Sequence, residues 1–300
     1  MCRPFQSLQA FPDALSAFAT RTTVMPTLDI FVVLYRRRPE TAETLVTLSR
    51  IDFGSLGFDV ELHIWDNAAS VPTPPTQGFL PFKWRYIASQ ANEPLSKVYN
   101  AQLRNSISSY VIIFDQDSTV DEGFFRSLAA SIANVRADVF VPVIRYDARV
   151  ISPGRLRWIK GSALAHPKVD ALLPRDFTAM MSGLCITRSL LRRLGPRPFD
   201  ERLRFYGVDT RFCRDLAEHG GRAWLHGAVL GHDSALRSTK DSRAVLERQI
   251  WLWQSWLRVF DRNVGEVLAI RCYVIWKAWL ASRREHTSFT FRDLIAEVFR

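Results

Sequence analysis

The stretch Tyr110-Val111-Ile112-Ile113-Phe114-Asp115-Gln116-Asp117-Ser118-Thr119-Val120 sets the tightest limit on the fold, because an apolar run stops abruptly at two carboxylates one residue apart. The run is short, rich in β-branched and aromatic residues, and too uniformly apolar to have a wet face, which predicts a buried strand. In open α/β sheets ligands bind beyond the carboxyl ends of the strands, so Asp115 and Asp117 fall where a ligand is expected. Two hard oxygen ligands there suit a divalent cation carrying phosphates. An acidic surface turn is the plainer alternative.

The surrounding pattern alternates. Residues 28–35 read as a first buried strand, and Pro39 follows at the first turn of a helix whose inward face is Leu45, Val46 and Leu48. A second strand, 58–65, closes on Asp66-Asn67; 84–88 is a third strand; and 95–107 reads as a helix carrying Val98, Leu103 and Ile107. Such alternation predicts βαβ units and a doubly wound half-domain. Gly-x-Gly-x-x-Gly and Gly-x-x-x-x-Gly-Lys-Ser/Thr are both absent, which removes the local support for dinucleotide-dehydrogenase and P-loop folds. Downstream, 123–135 reads as a helix and 138–144 as a strand, whereas 145–177 has no clear period and is expected to be a variable, substrate-facing segment. Residues 180–186 form a short apolar element, 189–194 and 208–219 read as helices, and 224–230 as a strand delivering His232. From Asp241 the pattern is helical, with Trp251, Trp253, Trp256, Trp276 and Trp279 set among arginines.

Composition narrows the classes. The 300 residues are 47% hydrophobic, enough for a substantial core. The net charge of +10 suits phosphorylated ligands, nucleic acid or an anionic membrane, without choosing among them. Cys2, Cys185, Cys213 and Cys272 lie far apart, with no C-x-x-C pair, so free thiols in a reducing compartment are expected. Asp13 and Arg21 interrupt the first 25 residues, which have no apolar h-region. The stretch 267–281 contains Arg271 and Lys277 and falls short of the roughly 20 uninterrupted residues that span a bilayer. A cytoplasmic protein, soluble or peripheral on the inner membrane face, is expected.

The strand ends Leu34-Tyr35 and Asp66-Asn67, then Asn92, Asn100, Asp115-Gln116-Asp117, Ser182-Gly183, Phe199-Asp200-Glu201, Asp209 and His232 form an ordered series. In this order they resemble the family 2 glycosyltransferases, inverting enzymes of GT-A fold, and are most similar to the bacterial rhamnosyltransferase branch. The resemblance implies an α/β fold with a Rossmann-like nucleotide-sugar-binding mixed sheet flanked by helices. It divides the chain into an irregular leader (1–26), a catalytic domain (27–238, with 27–120 binding nucleotide and 121–238 carrying acceptor and catalytic residues) and a C-terminal helical extension (239–300). It implies that Asp66 contacts the nucleotide base beside Leu34, Tyr35 and Asn67, and that Asn92 and Asn100 meet the nucleotide-sugar. Asp115 would meet the ribose or sugar and share the metal site with Asp117, the main ligand of a Mg²⁺ or Mn²⁺ that neutralises the leaving diphosphate. Asp209 would be the base that deprotonates the acceptor hydroxyl. His232 would complete the metal or diphosphate site, with Arg237 reaching the diphosphate.

Read by themselves, these residues leave other roles open. Asp66-Asn67 fits a turn pair, and Asn92 a turn or cap, since Glu93-Pro94 stands where the family usually carries glycine. Asp209 fits a helix-dipole aspartate, with Val208 in place of the second acid of many relatives, and His232 a packed histidine. Arg237 and Lys240 also fit solvated surface charges. The Gln-x-x-Arg-Trp of processive relatives is absent, since Ser255-Trp256-Leu257-Arg258 follows Gln254, so one sugar per encounter is expected. The branch implies a nucleoside-diphosphate sugar such as deoxythymidine-diphosphate rhamnose as donor. The acceptor would be a saccharide or lipid-linked saccharide of bacterial surface polysaccharide, and no nucleic-acid partner is expected. The Trp/Arg-rich helices fit either an anionic membrane surface or packing on the catalytic domain. Residues 114–120 also resemble the Asp-x-Asp loop of haloacid-dehalogenase-type phosphatases, in which Asp115 would be a nucleophile, but that loop sits on a first strand and here three precede it. A basic binding module is supported by charge alone.

Overall fold

The computed structural model describes residues 25–147, 149–232, 242–283 and 290–300. The first half runs β1 (Thr27–Tyr35), α1 (Glu43–Leu48), β2 (Asp59–Asn67), β3 (Lys83–Ser89), α2 (Leu95–Arg104) and β4 (Tyr110–Asp115). β1 pairs in parallel with both β2 and β4, and β2 in parallel with β3. The strand order therefore reverses beside β1, which is the switch point where such sheets open a crevice. Pro39 opens a short 3₁₀ turn, Pro39–Thr41, ahead of α1 instead of starting the helix itself. α2 ends at Arg104, and Ile107, expected on its inward face, lies past the end and is exposed.

The second half adds β5 (Ser118–Thr119), α3 (Glu122–Asn134) and β6 (Val139–Tyr146). The unpatterned segment folds into short strands: β7 (Arg149–Ser152), β8 (Gly154–Arg157), β9 (Lys160–Ala163), β10 (Ala171–Leu172) and β11 (Phe177–Thr178). β8, β9 and β11 form a small antiparallel sheet. Then come β12 (Leu184–Thr187), α4 (Arg188–Leu194), α5 (Val208–Glu218) and β13 (Ala223–His232). β12 is antiparallel to β4 and β6, which makes the main sheet mixed, in the order β10-β13-β6-β12-β4-β1-β2-β3.

Strand alternation divides the apolar side chains between two layers. Leu28, Ile30, Val32, Ile112 and Phe114 face the layer that holds Leu45 and Leu48 of α1 and Phe124 and Phe125 of α3. Phe31, Val33, Val111 and Ile113 face the other layer, with Val98 of α2, Leu190 of α4 and Phe212 of α5. The C-terminal helices α6 (Ser242–Val259), α7 (Val264–Ser282) and α8 (Phe291–Val298) join this second layer through Ile250, Trp253, Ile270, Val274, Leu294 and Val298. Packing in this layer thus accounts for Trp253, while Trp251, Trp276 and Trp279 stay exposed. Ion pairs fix the corner between α6 and α7 to α5: Arg211 to Asp261 at 2.7 Å, Arg262 to Asp215 at 2.7 Å, and Arg214 to Glu266 at 2.7 Å.

Gly183 turns the chain into β12 with φ +78°, and a Cβ there would lie 2.4 Å from Leu230 Cδ1 and 2.8 Å from Pro142 Cγ. Both the left-handed backbone and the contact oppose a side chain. Gly183→Ala is expected to lower unfolding free energy by about 1–3 kcal/mol in urea denaturation.

Candidate active site

Asp115 closes β4 beside Val33, while Asp66 and Asn67 close β2 beside Leu34 and Tyr35. Parallel pairing therefore brings Leu34, Tyr35, Asp66, Asn67 and Asp115 to one carboxyl edge, astride the switch point. The acidic turn is held from behind by α1. The buried Thr44 hydroxyl donates to the Asp115 carbonyl at 2.5 Å and to the Ser118 carbonyl at 3.0 Å, and accepts from the Ser118 amide at 2.9 Å. The Thr44 amide donates to the Gln116 carbonyl at 3.3 Å, and the Gln116 side-chain oxygen accepts from the Tyr35 amide at 2.9 Å. From β12's side, Ser182 Oγ accepts from the Asp115 amide at 3.2 Å and meets Ser118 Oγ at 2.6 Å. With its backbone satisfied in this way, the turn holds Asp115 and Asp117, both half-buried, at the sheet edge.

β5 pairs with β13, which sets His232 opposite Ser118 and Gly231 opposite Thr119. The backbone of His232 therefore lies directly beside the acidic turn. Arg237 and Lys240 lie outside the described residues.

Asp209 occupies the first turn of α5. Burial pushes its carboxyl above the usual aspartate value, opposed by hydrogen bonds from the Thr210 amide at 2.7 Å and hydroxyl at 3.4 Å. Two observations bring Asp209 toward the acidic turn. The buried Tyr99 phenol is raised well above its ordinary value by burial and then by the charges of both Asp115 and Asp209. In addition, the Thr178 hydroxyl donates to Thr210 at 3.4 Å, while Ser182, four residues on, bonds Asp115. Four residues of chain reach at most about 14 Å.

The family described as Glycosyl transferase family 2 matches residues 29–194, more than half of the chain. The chain belongs to that family. Its mixed sheet flanked by helices is the GT-A fold, and the protein is a glycosyltransferase. The matched region holds the strand ends and the acidic turn; Asp209 and His232 lie beyond it.

Solved structures of low identity share the fold. The crystal structure of GalNAc-T7 with UDP, GalNAc and Mn²⁺ superposes at a TM-score of 0.58 with 14% identity, over 92% of this chain and 57% of that one. The glycosyltransferase thus spans less than two thirds of the GalNAc-T7 chain. The mannosyltransferase PcManGT of Pyrobaculum calidifontis, in complex with GDP-Man and Mn²⁺, gives 0.53 at 16% identity, over 91% of this chain and 79% of that one. S. aureus TarS 1–349 gives 0.51 at 13% identity, over 91% of this chain and 80% of that one. No curated protein matches the chain.

The glycosyltransferase uses several of its asparagines internally. The Asn67 amide nitrogen donates to Asn92 Oδ1 at 3.1 Å and to the Glu93 carbonyl at 2.9 Å, while its oxygen accepts from the Glu93 amide at 3.0 Å. Asn100 has no exposed surface; it donates to the Phe199 carbonyl at 2.8 Å and to Glu201 at 3.1 Å, and accepts from the Phe199 amide at 3.2 Å. The resemblance implies donor contacts for Asn92 and Asn100, whereas these bonds fasten the loop before α2 to the end of β2, and the loop before α5 to α2. Asp66 accepts from the Tyr86 hydroxyl at 2.5 Å, and burial together with this bond pushes the phenol up to about 12.

Sequence reading missed Thr44, Tyr86 and Tyr99. Thr44 carries the one available signal, a polar residue at an inward position of an amphipathic helix. Among the described residues the group whose geometry could hold a metal ion is Asp29, Glu61 and His63, with ligand atoms within 4.8 Å of one another. It lies toward the amino end of β1, with Asp29 four residues, or about 13 Å, before Val33. Arg85 pairs with its Glu61 at 2.5 Å, and His63 Nε2 lies 3.6 Å from Asp29.

Thr44→Val is expected to leave the Asp115 and Ser118 backbone groups unsatisfied and to cost about 1–3 kcal/mol in thermal or urea unfolding. Thr44→Ser, which keeps the hydroxyl, should restore most of it.

Proposed function

We propose that this glycosyltransferase moves one sugar, with inversion, from a nucleoside-diphosphate sugar to a saccharide or lipid-linked saccharide. The observation that carries this reading is the placement of the Asp115-Gln116-Asp117 turn at the carboxyl end of β4, beside the switch point at β1. Catalytic domain 27–238 would divide the work, with 27–120 taking the nucleotide and 121–238 the acceptor.

Asp66, at the strand end shared with Leu34, Tyr35 and Asn67, receives the nucleotide base. Asp115 orients the ribose or sugar. The donor set of Asp115, Asp117 and the adjacent His232 is hard oxygen plus imidazole, which fits Mg²⁺ or Mn²⁺. Two neighbours of the same fold were crystallised with Mn²⁺. A cation held there supplies charge neutralisation for the departing diphosphate. The exposed Arg36, Arg37 and Arg38, directly after β1, add positive charge at that edge. Asp209 takes the proton from the acceptor hydroxyl as its oxygen bonds to the anomeric carbon and the bond to the diphosphate oxygen breaks. Burial makes Asp209 a stronger base than an ordinary carboxylate. A deoxyhexose such as rhamnose, carried on deoxythymidine diphosphate and destined for bacterial surface polysaccharide, is the donor that the order of motifs favours. The setting is the cytoplasm or the inner membrane face; among the described residues no helix is long and apolar enough to cross a membrane.

The test is a panel of nucleotide-sugars with and without Mn²⁺ or Mg²⁺, following release of nucleoside diphosphate and of free phosphate. Metal-stimulated diphosphate release from one donor supports the reading; turnover of simple phosphomonoesters instead overturns it. Asp209→Asn is expected to reduce transfer by roughly a hundred- to ten-thousandfold with donor affinity kept. Because burial disfavours the Asp209 carboxylate, its stability cost is present above the folded pKa and relieved as pH falls through it. At neutral pH Asp209→Asn should therefore melt no lower than the parent, and the acid limb of kcat/KM in the parent should lie above pH 3.8. Asp117→Asn is expected to abolish the metal dependence of donor binding, measured by calorimetry with and without Mn²⁺.

A further inference from the structure

Among the described residues, α7 carries large apolar side chains on its outer side as well as on the side that packs. Ile270, Val274, Ala278 and Ala281 are buried in the layer shared with α6 and α8. On the opposite side Val264, Leu268, Cys272, Ile275 and Trp279 follow spacings of four, four, three and four, a single stripe about 22 Å long. Val264 is 75% exposed, Leu268 59% and the flanking Trp276 51%. A surface helix normally turns polar residues outward; here the outward side is as apolar as the inward one.

The charges along this side have one sign. Arg283 stacks its guanidinium 4.0 Å above the Trp279 ring, and Lys277 Nζ lies 5.8 Å from the Trp276 ring and 5.9 Å from the Tyr273 ring. Arg271 is exposed beside the stripe. The one acid in the helix, Glu266, is taken up by Arg214 at 2.7 Å. Two copies of this chain meeting through the stripe would set Arg271, Lys277 and Arg283 against their own symmetry mates, a like-charge arrangement that opposes self-association. An anionic surface meets both the charge and the apolar stripe. Exposed tryptophans beside basic residues are the composition of helices that lie in the headgroup region.

We propose that the outer face of α7 docks on an anionic phospholipid membrane, with Leu268, Ile275, Trp276 and Trp279 entering the boundary between headgroups and acyl chains and Arg271 and Arg283 meeting lipid phosphates. The helix lies on the bilayer and does not cross it. Docking deepens the proposed transfer by giving a lipid-linked acceptor a fixed plane of approach, and it rests on that reading only for this consequence.

The experiment is flotation of the full chain with phosphatidylcholine vesicles, with and without phosphatidylglycerol, at low and high salt. Binding that requires phosphatidylglycerol and weakens with salt is expected, together with at least a roughly tenfold loss in Trp276→Ser/Trp279→Ser. Arg271→Gln/Arg283→Gln should lose the dependence on anionic lipid. Diphosphate release from the donor in vesicle-free solution should be the same in all of these variants, which separates a failed docking face from a failed enzyme. Equal flotation of parent and tryptophan variant, or indifference to phosphatidylglycerol, overturns the proposal. So does a parent dimer in light scattering that the tryptophan variant abolishes, because the stripe would then be a contact between copies.

Discussion

A strand buried on both faces that stops at its carboxyl end leaves amides and carbonyls without a neighbouring strand, and these groups cannot stay unpaired in the interior. After β4 the chain must satisfy them while holding two carboxylates at the sheet edge. A single hydroxyl from another element does most of this: the one proton of Thr44 is shared between the Asp115 and Ser118 carbonyls, and its lone pairs receive the Ser118 amide. Ser182 closes the other side by accepting from the Asp115 amide. Asp115 and Asp117 are therefore placed by α1 and by the turn into β12 as much as by β4 itself. A hydroxyl shared among three backbone groups fixes direction more than it adds stability, since each such bond nets only about 1 kcal/mol.

The position of Asp209 depends on a longer relay. Asn67 fastens the loop at Asn92 and Glu93, and α2 follows; Ser96 and Asn100 of α2 then fasten the loop at Phe199 and Leu203 that leads into α5. From the other side, Arg211, Arg214 and Asp215 of α5 pair with Asp261, Arg262 and Glu266 at the corner of the C-terminal helices. Half-buried ion pairs of this kind repay little of their desolvation, so their main consequence is a fixed orientation for α5. Gly207 shows how close the fit is, because a Cβ there would lie 2.8 Å from Val259 Cγ2 of α6. The helical extension is thus part of the frame that holds Asp209.

Much of this was legible in the sequence, and what was not has physical reasons. β1 and β4 announce themselves because burial on both faces leaves uniformly apolar runs, and the carboxyl ends of β2 and β4 carry Asp66, Asn67 and Asp115. Residues 145–177 were opaque because their strands are two to four residues long, too short for a period of two to register. Thr44 was hidden because its partners lie 71 and 74 residues away. Ile107 misled because an apolar residue just past a helix end extends the helical pattern without sharing its face. The clamping bonds of Asn92 and Asn100 were not legible, because an amide that clamps a loop and an amide that meets a ligand have the same composition and the same neighbours in sequence. For the tryptophans, both sequence alternatives stayed open because α7 carries large apolar side chains on its outer side as well as on the side that packs, and only its packing separates the buried from the exposed side.

Burial also explains why the two kinds of carboxylate in this site differ. Asp115 and Asp117 lie half-buried in a turn at the sheet edge. Asp209 starts a helix whose surroundings are aromatic: Tyr99 meets Phe199 at 5.2 Å, and Phe199 stacks on Phe212 of α5 at 5.2 Å. An apolar wall raises the cost of the carboxylate and so raises its proton affinity, which suits a group that accepts a proton. A fixed cation paired with Asp209 would lower that affinity again. Arg211 of α5 pairs instead with Asp215 and Asp261 and Arg214 with Glu266, while the Asp209 carboxylate accepts from its neighbour Thr210. Positive charge on α5 is thus used to hold the helix in place and kept off the carboxylate that starts it.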